Sequence, residues 1–143
     1  GDFESVEIDT NNLSQIVFVE FGGSKICICG DITKTAWEKI LQKSHIQNHL
    51  KSTNILVAAH HGHEDGYHED IFLHCKNADC IVISDQDMLH DTQDGMASKY
   101  SKHVPNGIIF NSNKNLRKIL TTRSDGHIWI RFDNGGNRTY QSF

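Results

Sequence analysis

Asp31 stands one glycine past the apolar run Lys25-Ile26-Cys27-Ile28-Cys29, and His60 directly follows the apolar run Asn54–Ala59. Side chains just past strand ends in α/β sheets point into the crevice where ligands bind. A carboxylate and an imidazole emerging from neighbouring strand ends make an oxygen–nitrogen metal half-site, with bonds of about 2.0–2.2 Å to zinc. Gly30 lets the backbone turn so that Asp31 faces inward, and Gly62 does the same after His60-His61. Each residue also has a plainer reading. Gly-Asp is ordinary turn or capping chemistry, and His60 alone could be a hydrogen-bonded strand-end histidine. The ordered set is more specific: strand-Gly-Asp-helix, strand-His-His-Gly-helix, strand-Ser. His61, His63 and Asp65 offer a competing, independent metal site.

The elements needed to position these residues follow from the pattern. Ser14–Phe21 and Lys25–Cys29 flank Gly22-Gly23 and predict a hairpin. Thr33 opens a helix on which Ala36, Trp37, Ile40 and Leu41 share a face, ending before Ser52. Residues 54–59 and 80–84 read as buried strands, with His68, Ile71, Phe72 and Cys75 on a helix between them. Asp85–Gly95 is a polar loop, and Tyr100 lies in a short helix ending before Pro105. Gly107–Phe110, Leu116–Thr122 and His127–Phe132 close the chain as strands, and residues 133–143 are expected to fray. The alternation predicts an α/β fold with helices on a mixed sheet.

Composition narrows the classes. Apolar residues make up 37% of 143 and charged residues 22%, which excludes a disordered or collagen-like chain and suits one domain, residues 1–143. No run approaches the ~18 apolar residues of a membrane helix. A net charge of −4 removes any whole-molecule attraction to nucleic acid, so such a substrate needs a local site. Lys34, Lys39 and Lys43 could face a phosphate backbone, or simply form a solvated helix face. Cys27, Cys29, Cys75 and Cys80 lack C-x-x-C spacing and read as reduced, buried thiols. With no secretory segment, they point to the cytoplasm. The start Gly1-Asp2-Phe3-Glu4 suggests a processed product or a piece of something longer.

Asn12-Leu13-Ser14, the strand Ile16–Glu20, Cys29-Gly30-Asp31, Ala59-His60-His61-Gly62 and Val82-Ile83-Ser84 resemble metallo-β-lactamase-fold hydrolases in order and type. The nearest branch is the nuclease-like domain of the bacterial competence DNA-uptake channel. The likeness continues through Thr121-Thr122 and Asp125-Gly126-His127-Ile128. It implies an αββα sandwich with a two-metal site at one edge, holding zinc foremost, or manganese or iron. Asp31 matches the carboxylate that bridges the metals. His60 matches the last metal-binding histidine, with His61 the alternative, otherwise beside the metal or touching substrate. His90 corresponds to a substrate or phosphate contact, or is an exposed loop histidine. The implied reaction is phosphodiester hydrolysis in DNA or RNA.

The family's histidine-x-histidine-x-aspartate-histidine motif belongs before the Gly-Asp, yet no histidine precedes Asp31. His61-Gly62-His63-Glu64-Asp65-Gly66 imitates it in the wrong place and lacks the last histidine. A catalytic zinc usually takes three protein ligands plus water, and Asp31 and His60 supply two. The chain is therefore expected to be the carboxy-terminal half of the fold. Its amino-terminal half would be a separate or cleaved chain or omitted sequence, facing apolar strands here. A non-catalytic docking or regulatory module is the alternative.

Overall fold

The computed structural model describes residues 10–86, 95–111 and 115–142. β1 (Val17–Phe21) and β2 (Ser24–Ile28) pair antiparallel with Phe21 opposite Ser24. Gly22 and Gly23 both take positive φ, +58° and +83°, the combination a two-residue hairpin turn requires. From β2 onward the sheet is parallel. β3 (Ile55–Val57), β4 (Cys80–Ile83) and β7 (Ile119–Thr121) complete one five-stranded sheet in the order β1-β2-β3-β4-β7.

The side-chain alternation of these strands divides the core in two. Cys27, Leu56, Ile81 and Ile83 face a helical layer. This layer comprises α1 (Lys34–Ile40), α2 (Ser44–Lys51), α3 (Ile71–His74) and α4 (Met96–Ser101), contributing Trp37, Leu50, Ile71 and Tyr100. Ile55, Cys80, Val82 and Leu120 face the other way. They are covered by β5 (Ile108–Ile109), which pairs with β6 (Leu116–Arg117), and by a hairpin of β8 (Ile128–Phe132) and β9 (Arg138–Ser142). α5 (Thr122–Asp125) links β7 to β8. The protein is thus mixed α/β, and all four cysteines are buried and free. Among the described residues, no helix is long and apolar enough to cross a membrane.

The turn of the β8–β9 hairpin packs against Gly22, where an added Cβ would strike the Asp133 carbonyl, and Phe21 lines a cleft of about 640 Å³ with Trp129 and Phe132. Val17, Val19 and Phe21 point to the same side as the hairpin, and each remains 43–51% exposed. Ile28, paired with Val17, is also exposed. Among the described residues β1 has a neighbour on one side only, which leaves its outer backbone edge unpaired by them.

Three expectations need correction. Leu116–Thr122, expected as one strand, divides into β6 and β7, which belong to different sheets, and Thr122 begins α5. The stretch after Thr33 is two helices, because the chain breaks between Leu41 and Lys43 and restarts at Ser44. Residues 133–142, expected to fray, form a turn and strand β9. The Asp133 carboxylate accepts from the Gly135 and Asn137 amides at 2.8 and 2.9 Å. Arg138 then reaches back to Asp79 at 2.6 Å and to Ser24 Oγ at 2.8 Å, anchoring β9 on the sheet.

Candidate metal half-site

Because β2, β3, β4 and β7 run parallel, their carboxyl ends meet at one edge of the sheet. Gly30-Asp31 leaves β2 there, the His60-His61-Gly62 turn leaves β3, and Ser84-Asp85 leaves β4. Gly30 has φ +58°, and a Cβ on it would lie 2.4 Å from Ser14 Oγ. That hydroxyl accepts from the Asp31 amide at 2.9 Å and orients the aspartate. The His60 amide donates to the Gly30 carbonyl at 2.8 Å, tying the two loops together.

His60, His61 and Gly62 have φ of 49°, 54° and 75°. Two consecutive non-glycine residues in the left-handed region cost roughly 1–2 kcal/mol each, and such strain clusters at ligand-binding sites. Its effect is to send the two imidazoles in different directions. His61 Nδ1 lies 2.8 Å from the Ser84 carbonyl. A carbonyl can only accept, so Nδ1 carries the proton and Nε2 is the free position of the neutral ring. That Nε2 is 3.4 Å from Asp31 Oδ1. The separation is long for a charge-assisted hydrogen bond. It equals the ~3.4 Å between two donors on ~2.1 Å bonds at a tetrahedral angle, the geometry of a zinc site. Both side chains are about half exposed and open to a further ligand donor.

His60 turns to Asp65 instead, with Nδ1 2.9 Å from Oδ1. The approach is too oblique for a hydrogen bond and leaves that buried nitrogen without an aligned partner, so the contact is ionic at most. The His60 ring lies 5.1 Å from that of His63. The structure thus groups His60, His63 and Asp65 on one side of the turn and Asp31 with His61 on the other. The set His61, His63 and Asp65 does not converge. His90 lies outside the described residues. Lys34, Lys39 and Lys43 are exposed, and Lys34 lines a cleft of about 600 Å³ with Glu64, Asp65, His68 and Lys99.

The donor chemistry of Asp31 and His61 fits a divalent cation: a hard carboxylate oxygen beside an imidazole nitrogen whose other nitrogen is held by a carbonyl. The number of donors is smaller than one catalytic ion needs. Among the described residues, no group of three or more histidine, cysteine, aspartate or glutamate side chains could hold a metal.

The sequence reading missed Ser14 and the Ser84 carbonyl as orienting groups. Both follow from the fold alone, since each comes from a segment at least 17 residues from its partner. Beside His61 is a small cavity of about 40 Å³, lined by Gly62, Ile83, Asp85, Met96 and Arg123. No protein-family model, curated protein or solved structure matches the chain.

Proposed function

We propose that this chain is the carboxy-terminal half of a metallo-β-lactamase-like αββα sandwich and supplies part of the metal site of a phosphodiesterase or nuclease. The observation that carries the reading is the His61 imidazole, with Nδ1 committed to Ser84 and Nε2 at 3.4 Å from Asp31. In this reading Asp31 and His61 hold a divalent ion, zinc first, with manganese or iron as alternatives. His60 and Asp65 brace the turn. A bound ion would polarise a phosphoryl oxygen and lower the pKa of a bound water to near 7. The protein's own contribution is to hold the carboxylate and the imidazole in place before any ligand arrives.

The amino-terminal half is the proposed partner. It would bring the missing histidines and cover the apolar side of β1. The exposed Val17, Val19, Phe21 and Ile28 support this, because an open edge strand with an apolar side is an aggregation hazard unless something packs on it. DNA or RNA is the proposed substrate.

Calorimetric titration of the chain with zinc tests the site. Weak binding is expected in the wild type, with loss in both Asp31→Ala and His61→Ala while the circular dichroism spectrum is retained. Undiminished binding in both variants would refute the assignment. Binding lost in His60→Ala but kept in His61→Ala would move the ligand role to His60. Adding the proposed amino-terminal half should then yield hydrolysis of a simple phosphodiester.

A second reading is a non-catalytic docking module. It is favoured by the donor set stopping at two among the described residues. A complete assembly containing no zinc, manganese or iron when purified without chelators would decide for it.

A further inference from the structure

The His61 ring is held by a carbonyl, and something must hold that carbonyl. The Ser84 C=O and the Asp85 N–H belong to the same peptide unit, which is planar and trans, so fixing one end fixes the other. The Asp85 N–H donates to Thr122 Oγ1 at 2.8 Å. The same hydroxyl donates to the Asp85 carbonyl at 2.5 Å. Thr122 therefore clamps the peptide units on both sides of the Asp85 Cα. The Asp85 carboxylate adds to the hold: it accepts from the Arg123 amide at 3.1 Å and lies 3.2 Å from the Arg123 guanidinium.

Thr122 itself stands on a rigid base. At the start of α5, the Thr121 hydroxyl accepts from the Ser124 amide. At its end, the buried Asp125 carboxylate takes two bonds from Arg117, at 3.0 and 2.9 Å, and one from the Thr121 amide.

We infer that Thr122 is a positioning residue for His61, acting through the Ser84–Asp85 peptide to keep Nδ1 protonated and Nε2 turned to Asp31. The inference rests on the reading of His61 as the functional imidazole. Without the hydroxyl, the peptide plane is free to rotate, the Ser84 carbonyl leaves Nδ1, and the ring relaxes toward the Nε2–H form that an unconstrained histidine side chain prefers. That form has no lone pair to offer at the Asp31 side.

The test is the ¹⁵N spectrum of the His61 ring in the full chain at a pH where the ring is neutral. Wild type and Thr122→Ser, which keeps the hydroxyl, should show the Nδ1–H form. Thr122→Val, nearly the same shape without the hydroxyl, should show it in less than about half of the molecules and should bind zinc at least about tenfold more weakly. An unmoved tautomer in a folded Thr122→Val, or no recovery in Thr122→Ser, overturns the inference. If the valine variant does not fold, the wild type still decides. It should show a slowly exchanging Asp85 amide together with the Nδ1–H ring, and absence of either overturns the inference. A tautomer that responds to Thr122 in a chain that binds no zinc would support the clamp and refute the metal reading. Zinc binding with a tautomer indifferent to Thr122 would do the reverse.

Discussion

Replacing Gly62 with alanine should be among the most damaging single-methyl changes in the protein. At φ +75° an alanine sits in the left-handed region, a penalty of about 1–2 kcal/mol. Its Cβ would also lie 2.7 Å from Ile83 Cγ2, with Cδ1 and Cγ1 at 3.4 and 3.5 Å. Ile83 is a buried residue of β4, and overpacking of this kind costs about 1–3 kcal/mol. The two together come to roughly 2–5 kcal/mol, a large share of the ~5–15 kcal/mol of a typical domain. With a urea slope of about 2 kcal/mol/M, the unfolding midpoint should fall by about 1–2.5 M. A double-mutant cycle separates the parts. Ile83→Ala removes the γ carbons that Cβ would strike, so the double variant should lose about 1–3 kcal/mol less than the sum of the singles. Ile83→Val, which keeps two γ carbons, should give no comparable relief. Additivity within about 0.5 kcal/mol in the alanine cycle would show that Gly62 and Ile83 do not touch in this way. The stated reason for glycine in the turn that carries His61 would then be wrong.

Two further outcomes are expected. Burial holds the His103 pKa below its usual value, against a smaller upward pull from Glu69, and its Nε2 lies 2.7 Å from the Tyr67 hydroxyl while the ring stacks on Phe72 at 3.9 Å. A depressed histidine binds its proton more readily when unfolded. Its contribution is therefore complete above the unfolded value of about 6.5 and is lost as pH falls through the folded one. Urea midpoints should thus drop from pH 7.5 to pH 5, and the drop should shrink in His103→Gln; an equal drop in that variant would exclude His103 as a source. On the open strand, Val19→Lys should reduce self-association in light scattering while changing stability by no more than about 0.5 kcal/mol. Association unchanged by the lysine would mean that the β1 face is not where the chain is sticky.

How much of this was legible depended on whether a feature was local. The β1–β2 hairpin could be read because an apolar run, two glycines and a second apolar run are contiguous. β4 could be read because Cys80–Ile83 is apolar throughout and buried at every position. β9, Arg-Thr-Tyr-Gln-Ser, could not, since Tyr140 is its one buried residue and Arg138 finds its partners 59 and 114 positions away. α2 was absorbed into its neighbour because only Leu50 on it is buried. Asp31 and the His-His-Gly turn were legible as polar groups set against glycine just past buried strands. Which histidine turns toward Asp31 was not, because that depends on positive φ at two non-glycine residues. Thr122 gave no signal as part of the site, since the peptide it clamps lies 37 residues away.

The Ser24 hydroxyl, which accepts from Arg138 and donates to the Gly136 carbonyl, also bears on the order in which the chain can fold. These two bonds join positions 114 and 112 residues apart. As the chain leaves the ribosome, the β1–β2 hairpin forms early from local contacts, but Ile55, Val82 and Leu120 wait bare for β8 and β9. Distant pairings of this kind close slowly because the loop entropy must be overcome first. A growing chain would therefore expose one face of its sheet until β9 is made, the interval in which chaperone capture or misassembly is most favoured.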